Sequence, residues 1–224
     1  MTVCFGLGFP LVLIFLLSVI QANVPVSLFE IQHLAPGVAV FGLSFMTLFS
    51  ATLISRDRGS SLLQRLYTTP LSPLDFILGY TLPIIPFALA QSVICYGVAI
   101  LLGLDVTLHM LWAVLLVIPV SVLYIAMGLL FGSVLTDKQV GGICGALLTN
   151  LSAWLSGTWF DLELVGGVFK DIAYALPFVH AVELERAVLA GNYGDILPHL
   201  LWVMGYAAVL LALAVLLFLR QMKK

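Results

Sequence analysis

The sequence predicts an all-α membrane protein of six transmembrane helices with both chain ends on the cytoplasmic side. Three observations predict it. Apolar types make up 62% of the 224 residues and charged types only 9%, against roughly 25% charged in a soluble domain. The apolar residues fall in runs of about 18 or more, long enough to cross a bilayer as helices that satisfy their own backbone hydrogen bonds. The basic residues sort by side. With both termini on one face, that face holds Arg56, Arg58, Arg65, Lys138, Arg220, Lys223 and Lys224, seven of the nine Lys and Arg, which marks it as cytoplasmic. The other face holds Lys170 and Arg186 among Glu30, Asp105, Asp161, Glu163, Asp171, Glu183, Glu185 and Asp195.

The six runs are 3–20, 36–54, 76–103, 108–135, 140–158 and 199–219. No Lys or Arg precedes the first run and no small-residue cleavage site follows it, which argues against a signal peptide. The third and fourth exceed about 20 residues, so they tilt, extend beyond the hydrocarbon, or bend at Pro83, Pro86 or Pro119. Thr136-Asp137-Lys138-Gln139 reads as a capping box opening the fifth. Gly128-x-x-x-Gly132 and Gly141-x-x-x-Gly145 flank that turn. Small residues four apart let helix backbones approach closely, and packing of spans four and five within one subunit outweighs a dimer seam. Ser44, Thr47, Ser50, Thr52, Gln91, Ser92, Ser121, Asn150 and Ser152 are the polar groups inside the runs; they suit an amphipathic cargo or helix-to-helix hydrogen bonds equally.

Between spans two and three lies the one sizeable cytoplasmic loop, 55–75. Ser61 and Gln64 fit a capping box. Leu62, Leu63, Leu66 and Tyr67 then line one helical face, while Gln64 and Arg65 point elsewhere. Pro70 stops this helix. Ser72-Pro73-Leu74-Asp75 reads as N-cap, N1 proline and N3 acid, starting span three. Such a capped amphipathic helix either rests its leucines in the headgroup layer or docks an apolar ridge into a cytoplasmic partner. Composition leaves both open.

Residues 159–198 are too polar to span and too apolar for an ordinary loop. Trp159, Phe160, Phe169, Tyr174, Phe178 and Tyr193 suit the membrane interface. Two short helices, 168–176 and 178–189, are broken at Pro177, and Gly191 ends the second. Glu183, Glu185 and Arg186 are expensive in hydrocarbon, about 2.5–3.5 kcal/mol for the Arg, and are therefore expected to face water, a pore mouth or one another.

Several chemistries lack their residues. A net charge of −2 offers no basic surface for nucleic acid. Cys4, Cys95 and Cys144 fall in different spans at mismatched depths, against a disulfide or metal cluster. No His-Glu-x-x-His pair or Gly-x-Ser-x-Gly elbow is present, and no Gly-x-x-x-x-Gly-Lys-Ser/Thr loop with which to bind ATP. His33, His109, His180 and His199 lie near span ends or in outer segments, and no acid or His sits near midplane to relay ions.

Two blocks resemble the ABC-2 type integral-membrane permeases of bacterial multidrug and antibiotic exporters. One is Leu63-Gln64-Arg65-Leu66-Tyr67-Thr68-Thr69-Pro70-Leu71-Ser72, followed by Asp75-Phe76-Ile77-Leu78-Gly79-Tyr80. The other is Leu155-Ser156-Gly157-Thr158-Trp159-Phe160, then Ile172-Ala173-Tyr174-Ala175-Leu176-Pro177-Phe178, then His180-Ala181-Val182-Glu183 and Arg186. Their order and place among six spans also match.

The resemblance implies a single permease domain over 1–224 that is not an enzyme and holds no cofactor. ATP and Mg would be bound by two copies of a partner ATP-binding subunit, and a second permease subunit would complete a homodimer in the bacterial cytoplasmic membrane. It makes Arg56, Asp57, Arg58, Leu62, Leu63, Gln64, Arg65, Leu66, Tyr67, Thr69 and Pro70 the ATPase-coupling helix and its anchors. Ser156, Gly157, Phe160, Pro177, Phe178, His180, Glu183 and Arg186 would belong to a re-entrant outer segment. Composition alone fits a hairpin lying flat on the membrane as well. The family usually sets an interfacial helix before span one; this chain opens almost inside that span, so the helix is expected to be lacking. The function implied is ATP-driven export of a hydrophobic or amphipathic substrate, a drug, antibiotic, lipid-like molecule or peptide. An ion-coupled secondary transporter and a non-transporting scaffold or sensor are the alternatives.

Overall fold

A computed structural model describes residues 2–23, 29–60 and 72–222. Their secondary structure is helical, in the order α1 (Thr2–Asn23), α2 (Ile31–Gly59), α3 (Pro73–Thr81), α4 (Ile85–Leu101), α5 (Leu108–Val134) and α6 (Asp137–Gly142). A π-helical turn (Ile143–Leu148), α7 (Thr149–Trp154), α8 (Leu162–Val165), α9 (Gly167–Ala175), α10 (Pro177–Leu189) and α11 (Tyr193–Met222) follow. Residues 61–71 lie outside the described part, and with them Leu62, Leu63, Gln64, Arg65, Leu66, Tyr67, Thr69 and Pro70.

Among the described residues, five helical stretches are long and apolar enough to cross a membrane: Gly6–Asn23, Ile31–Gly59, Ile77–Leu101, Leu108–Val134 and Tyr193–Arg220. The fifth predicted span, 140–158, is not among them. In its place α6, the π turn and α7 succeed one another from Asp137 to Trp154, and the chain then turns away at Leu155. A π turn takes one extra residue per hydrogen-bonded ring. Here the Thr149 hydroxyl donates to the Cys144 carbonyl five residues back, at 3.0 Å.

The third span breaks where its prolines require it. Ser72 Oγ accepts from the Asp75 N–H at 3.2 Å, and Asp75 returns a carboxylate oxygen to the Ser72 N–H at 2.9 Å, so α3 starts on the predicted box. The Ser72 hydroxyl and N–H also hold the Asp75 carboxyl below its ordinary value. Pro83 and Pro86 lack N–H donors; α3 ends at Thr81 and α4 resumes at Ile85 with proline in its first turn. Pro119 behaves otherwise, since α5 runs through it unbroken.

The bundle is built around α2, buried without interruption from Leu34 to Thr47. It packs most extensively on α5, then on α1, α4 and α10. One core joins Leu43 of α2, Leu123 and Tyr124 of α5, Val182 of α10 and Val203 of α11. A second joins Ile14, Leu34, Val38, Tyr96 and Val188. Small residues set the α2–α5 approach: a Cβ on Gly128 would collide with Ser50 Oγ, and one on Gly132 would stand 2.7 Å from the Ala51 carbonyl oxygen. The glycine pair thus serves the contact with span two, not the expected packing of span four on five. Gly145 likewise looks onto Leu48 of α2.

The outward faces are apolar. Val12, Phe15 and Leu16 of α1, and Leu201, Val209 and Leu216 of α11, are exposed, as lipid-facing helices require. Most polar groups inside the runs bond to helices. Thr47 donates to the Tyr124 carbonyl at 2.7 Å, Tyr124 shares a 2.9 Å bond with Ser152, and Gln91 reaches the Ala39 carbonyl at 3.1 Å. Ser50, Thr52, Ser121 and Asn150 bond back to their own helices.

Candidate functional site

The ends of α2, about 40 Å apart at a 1.5 Å rise per residue, carry two polar clusters. At its C-terminal end, Arg58 donates to the Ser133 and Leu135 carbonyls. They belong to the last turn of α5 and to the Leu135 residue that caps it, where carbonyls have no partner inside the helix and favour a cation. Arg56 pairs with Asp137 at 3.2 Å, and both are exposed. Tyr80 of α3 donates to Asp57 at 2.8 Å. Arg56, Asp57 and Arg58 therefore fasten the end of α2 to α5, α6 and α3 on the near side of the undescribed 61–71 segment. The pairing of Tyr80 and Asp137 with the end of α2 was not foreseen from sequence, because the partners lie 23 and 81 positions away.

At the N-terminal end of α2 a cleft of about 690 Å³ opens. Gly157, Phe160, Glu183 and Arg186 line it, joined by Phe29, Trp159, Tyr174 and His199. Arg186 is the brace of this end: Nη1 meets Glu183 at 2.9 Å, Nη2 the Gly157 carbonyl at 3.1 Å, and Nε the His33 carbonyl at 3.3 Å. Gly157 has φ +67°, a backbone state that disfavours a side chain, and it aims that carbonyl at the guanidinium. Ser156 is buried, bonding to the Ala153 carbonyl at 3.0 Å and to Thr158 Oγ1 at 2.8 Å. Phe160 packs on Phe169.

Pro177 sits in the first turn of α10, where its missing N–H costs nothing, and Phe178 is buried against Tyr124. The predicted pair of short helices is therefore present, broken at Pro177 and followed by Gly191 at φ +72°. α8, capped by the Asp161 carboxylate accepting from the Glu163 N–H at 2.8 Å, was not expected.

His180 faces the Tyr174 carbonyl through Nε2 at 2.9 Å and His199 Nδ1 through its own Nδ1 at 2.9 Å. A carbonyl only accepts, so Nε2 carries hydrogen; in the neutral ring Nδ1 then accepts, and His199 donates. Trp202 stacks on the His180 ring at 4.9 Å and 9°. Burial pulls the His180 pKa down, partly opposed by the Tyr174 carbonyl.

Glu185 departs from the sequence reading. Glu183 and Arg186 do face one another and the cleft, whereas Glu185 is 0% exposed. Its Oε2 accepts from the Tyr96 hydroxyl of α4 at 2.9 Å, and Oε1 has no partner. Burial pushes this carboxyl up to about 8, the Tyr96 bond opposing, so it is mostly neutral at pH 7. Its position, two residues beyond Glu183 on a helix, puts it on another face, which is the signal the sequence offered.

Comparison with known proteins bears on the whole arrangement. A search of curated proteins and a search of solved structures found no match. The family model described as ABC-2 family transporter protein matches residues 25–216, a stretch that includes both clusters and the helices after α1, the last of them as far as residue 216. The apolar outward faces, the five membrane-length helices and this match agree, and the chain belongs to the ABC-2 family as a multi-pass membrane transport component.

Proposed function

We propose that this chain is the permease subunit of an ATP-driven exporter in the bacterial cytoplasmic membrane, moving a hydrophobic or amphipathic substrate. The family match over residues 25–216 is the observation that carries this reading. ABC-2 permeases normally work with an ABC ATP-binding subunit; in this reading two copies bind ATP and Mg, and two permease chains pair as a homodimer. In this reading the α6–π–α7 run serves as the fifth of six spans. The Arg56, Arg58, Lys138 and Arg220 end faces the cytoplasm, and the cleft faces outward.

Segment 62–69 is the coupling helix on which the ATPase pushes. Asp57–Tyr80 and Arg58–Ser133 carry that movement into α3 and α5. Residues 156–186 form the re-entrant segment at the outer mouth. Leu66→Asp is expected to abolish co-purification with the ATPase while membrane insertion persists; normal co-purification would overturn docking there. ATP-dependent efflux from vesicles holding both subunits tests transport itself.

One observation favours the ion-coupled alternative: Glu185 is a buried, largely neutral acid of the kind that carries protons in membrane carriers. Transport that follows a proton gradient and survives ATP depletion would decide for it.

A further inference from the structure

We propose that the cleft at the N-terminal end of α2 is a binding site for an organic cation bearing aromatic groups. The proposal rests on the exporter reading only for placing the cleft on a transport path. At about 690 Å³ the cleft lies within the roughly 300–1,000 Å³ of small-molecule sites. Its lining includes Trp159, Phe160 and Tyr174, aromatic residues of the kind that attract cations.

Charge decides the sign of the ligand. Asp161, Glu183 and Asp195 line the cleft, and among the described residues Arg186 is the one Lys or Arg that does. Three of the five N–H donors of Arg186 are already taken by Glu183, Gly157 and His33, and its charge is offset by the Glu183 carboxylate. Glu183 is neutralised in the same pair, whereas Asp161 and Asp195 bond only to neutral donors, the Glu163 N–H and the Asn192 amide. Two carboxylates therefore remain uncompensated. His180, behind His199, adds no positive charge near neutrality because its pKa is depressed.

Two observations at Tyr174 report the same field. Its phenol is pushed up by burial and then by Glu183, Glu163 and Asp161, with Lys170 opposing. The Lys170 ammonium already lies 5.8 Å from the centre of the Tyr174 ring, so a cation against this ring is part of the fold. The carboxylates do not converge into a metal-holding group among the described residues, which favours a diffuse organic charge over a bare ion.

Tetraphenylphosphonium and tetraphenylborate share shape and differ in sign. Each is titrated into the full chain in zwitterionic nanodiscs, with partition into empty discs subtracted. The expected result is saturable binding of the phosphonium, preferred over the borate by about tenfold or more. Asp161→Asn with Asp195→Asn, which keeps both acceptors, is expected to weaken phosphonium binding about tenfold. Equal affinity for the two ions, or an unchanged affinity in a monodisperse double variant, overturns the proposal. Should that variant aggregate, raising salt on the parent chain is the second measurement: phosphonium affinity must fall and borate affinity must not, and any other outcome overturns the proposal.

No ATPase enters this assay. Phosphonium binding without ATP-driven movement of any cargo would sink the exporter reading and leave the cleft standing. ATP-driven export without phosphonium binding would sink the cleft assignment alone.

Discussion

The Tyr96 hydroxyl donates to Glu185 at 2.9 Å, and neither residue reaches solvent beyond 1%. The bond ties α10 to α4 across the top of α2, and it titrates. The carboxyl is raised from 4.5 to about 8 in the folded chain. Between those values the folded state holds a proton that the unfolded state has released, so stability is fully present below about pH 4.5 and is lost as pH rises through 8. Glu185→Gln is expected to abolish that decline, giving a higher apparent Tm than the parent at pH 8 and little change at pH 5. Thermal unfolding of the two proteins in nanodiscs measures it.

His180 contributes the opposite slope. Its pKa is lowered from 6.5 by burial, so the stability it supplies is present above pH 6.5 and is lost as pH falls below it. In Glu185→Gln, with the acid's titration removed, the apparent Tm is expected to drop on acidification from pH 7 to 5. A flat profile there would show that the His180–His199 contact does not require the neutral ring.

Arg58 closes the end of α5. Arg58→Ala leaves the Ser133 and Leu135 carbonyls without that donor, a loss of about 1.5–3 kcal/mol for bonds to a charged group. Arg58→Lys restores charge without the fork and is expected to recover part of it. Denaturant titration of the detergent-purified variants gives the values.

Gly132→Val forces α5 away from the Ala51 carbonyl. Overpacking of this kind costs about 1–3 kcal/mol. A matching change at Gly141, whose Cβ would meet nothing within 4 Å, is expected to be near neutral. The contrast separates close packing from a general intolerance of larger side chains, and the same unfolding assay reads both.

Legibility in the sequence followed the range of each interaction. Helices α3, α9 and α10 were readable because Ser72, Asp75, Pro177 and Gly191 act within one turn of where they stand. The Glu183–Arg186 pair was readable for the same reason, being three residues apart. Tyr96–Glu185 and His180–His199 join residues 89 and 19 positions apart, and no local pattern announces them. In the predicted fifth span the π turn was not readable: hydropathy is continuous there, and it does not distinguish an α turn from a π turn. Gly128 and Gly132 announced a close approach but not the helix approached, because any neighbour with a small surface would serve.

The π turn at Ile143–Leu148 sets the direction in which α7 presents its side chains. An added residue rotates everything beyond it by about 100° relative to an uninterrupted α-helix, and Ser152 reaches Tyr124 only with that rotation in place. Removing a single amino acid from this stretch would therefore act like turning a key in a lock. The helix would become more regular, and its far half would present the wrong side to its neighbour.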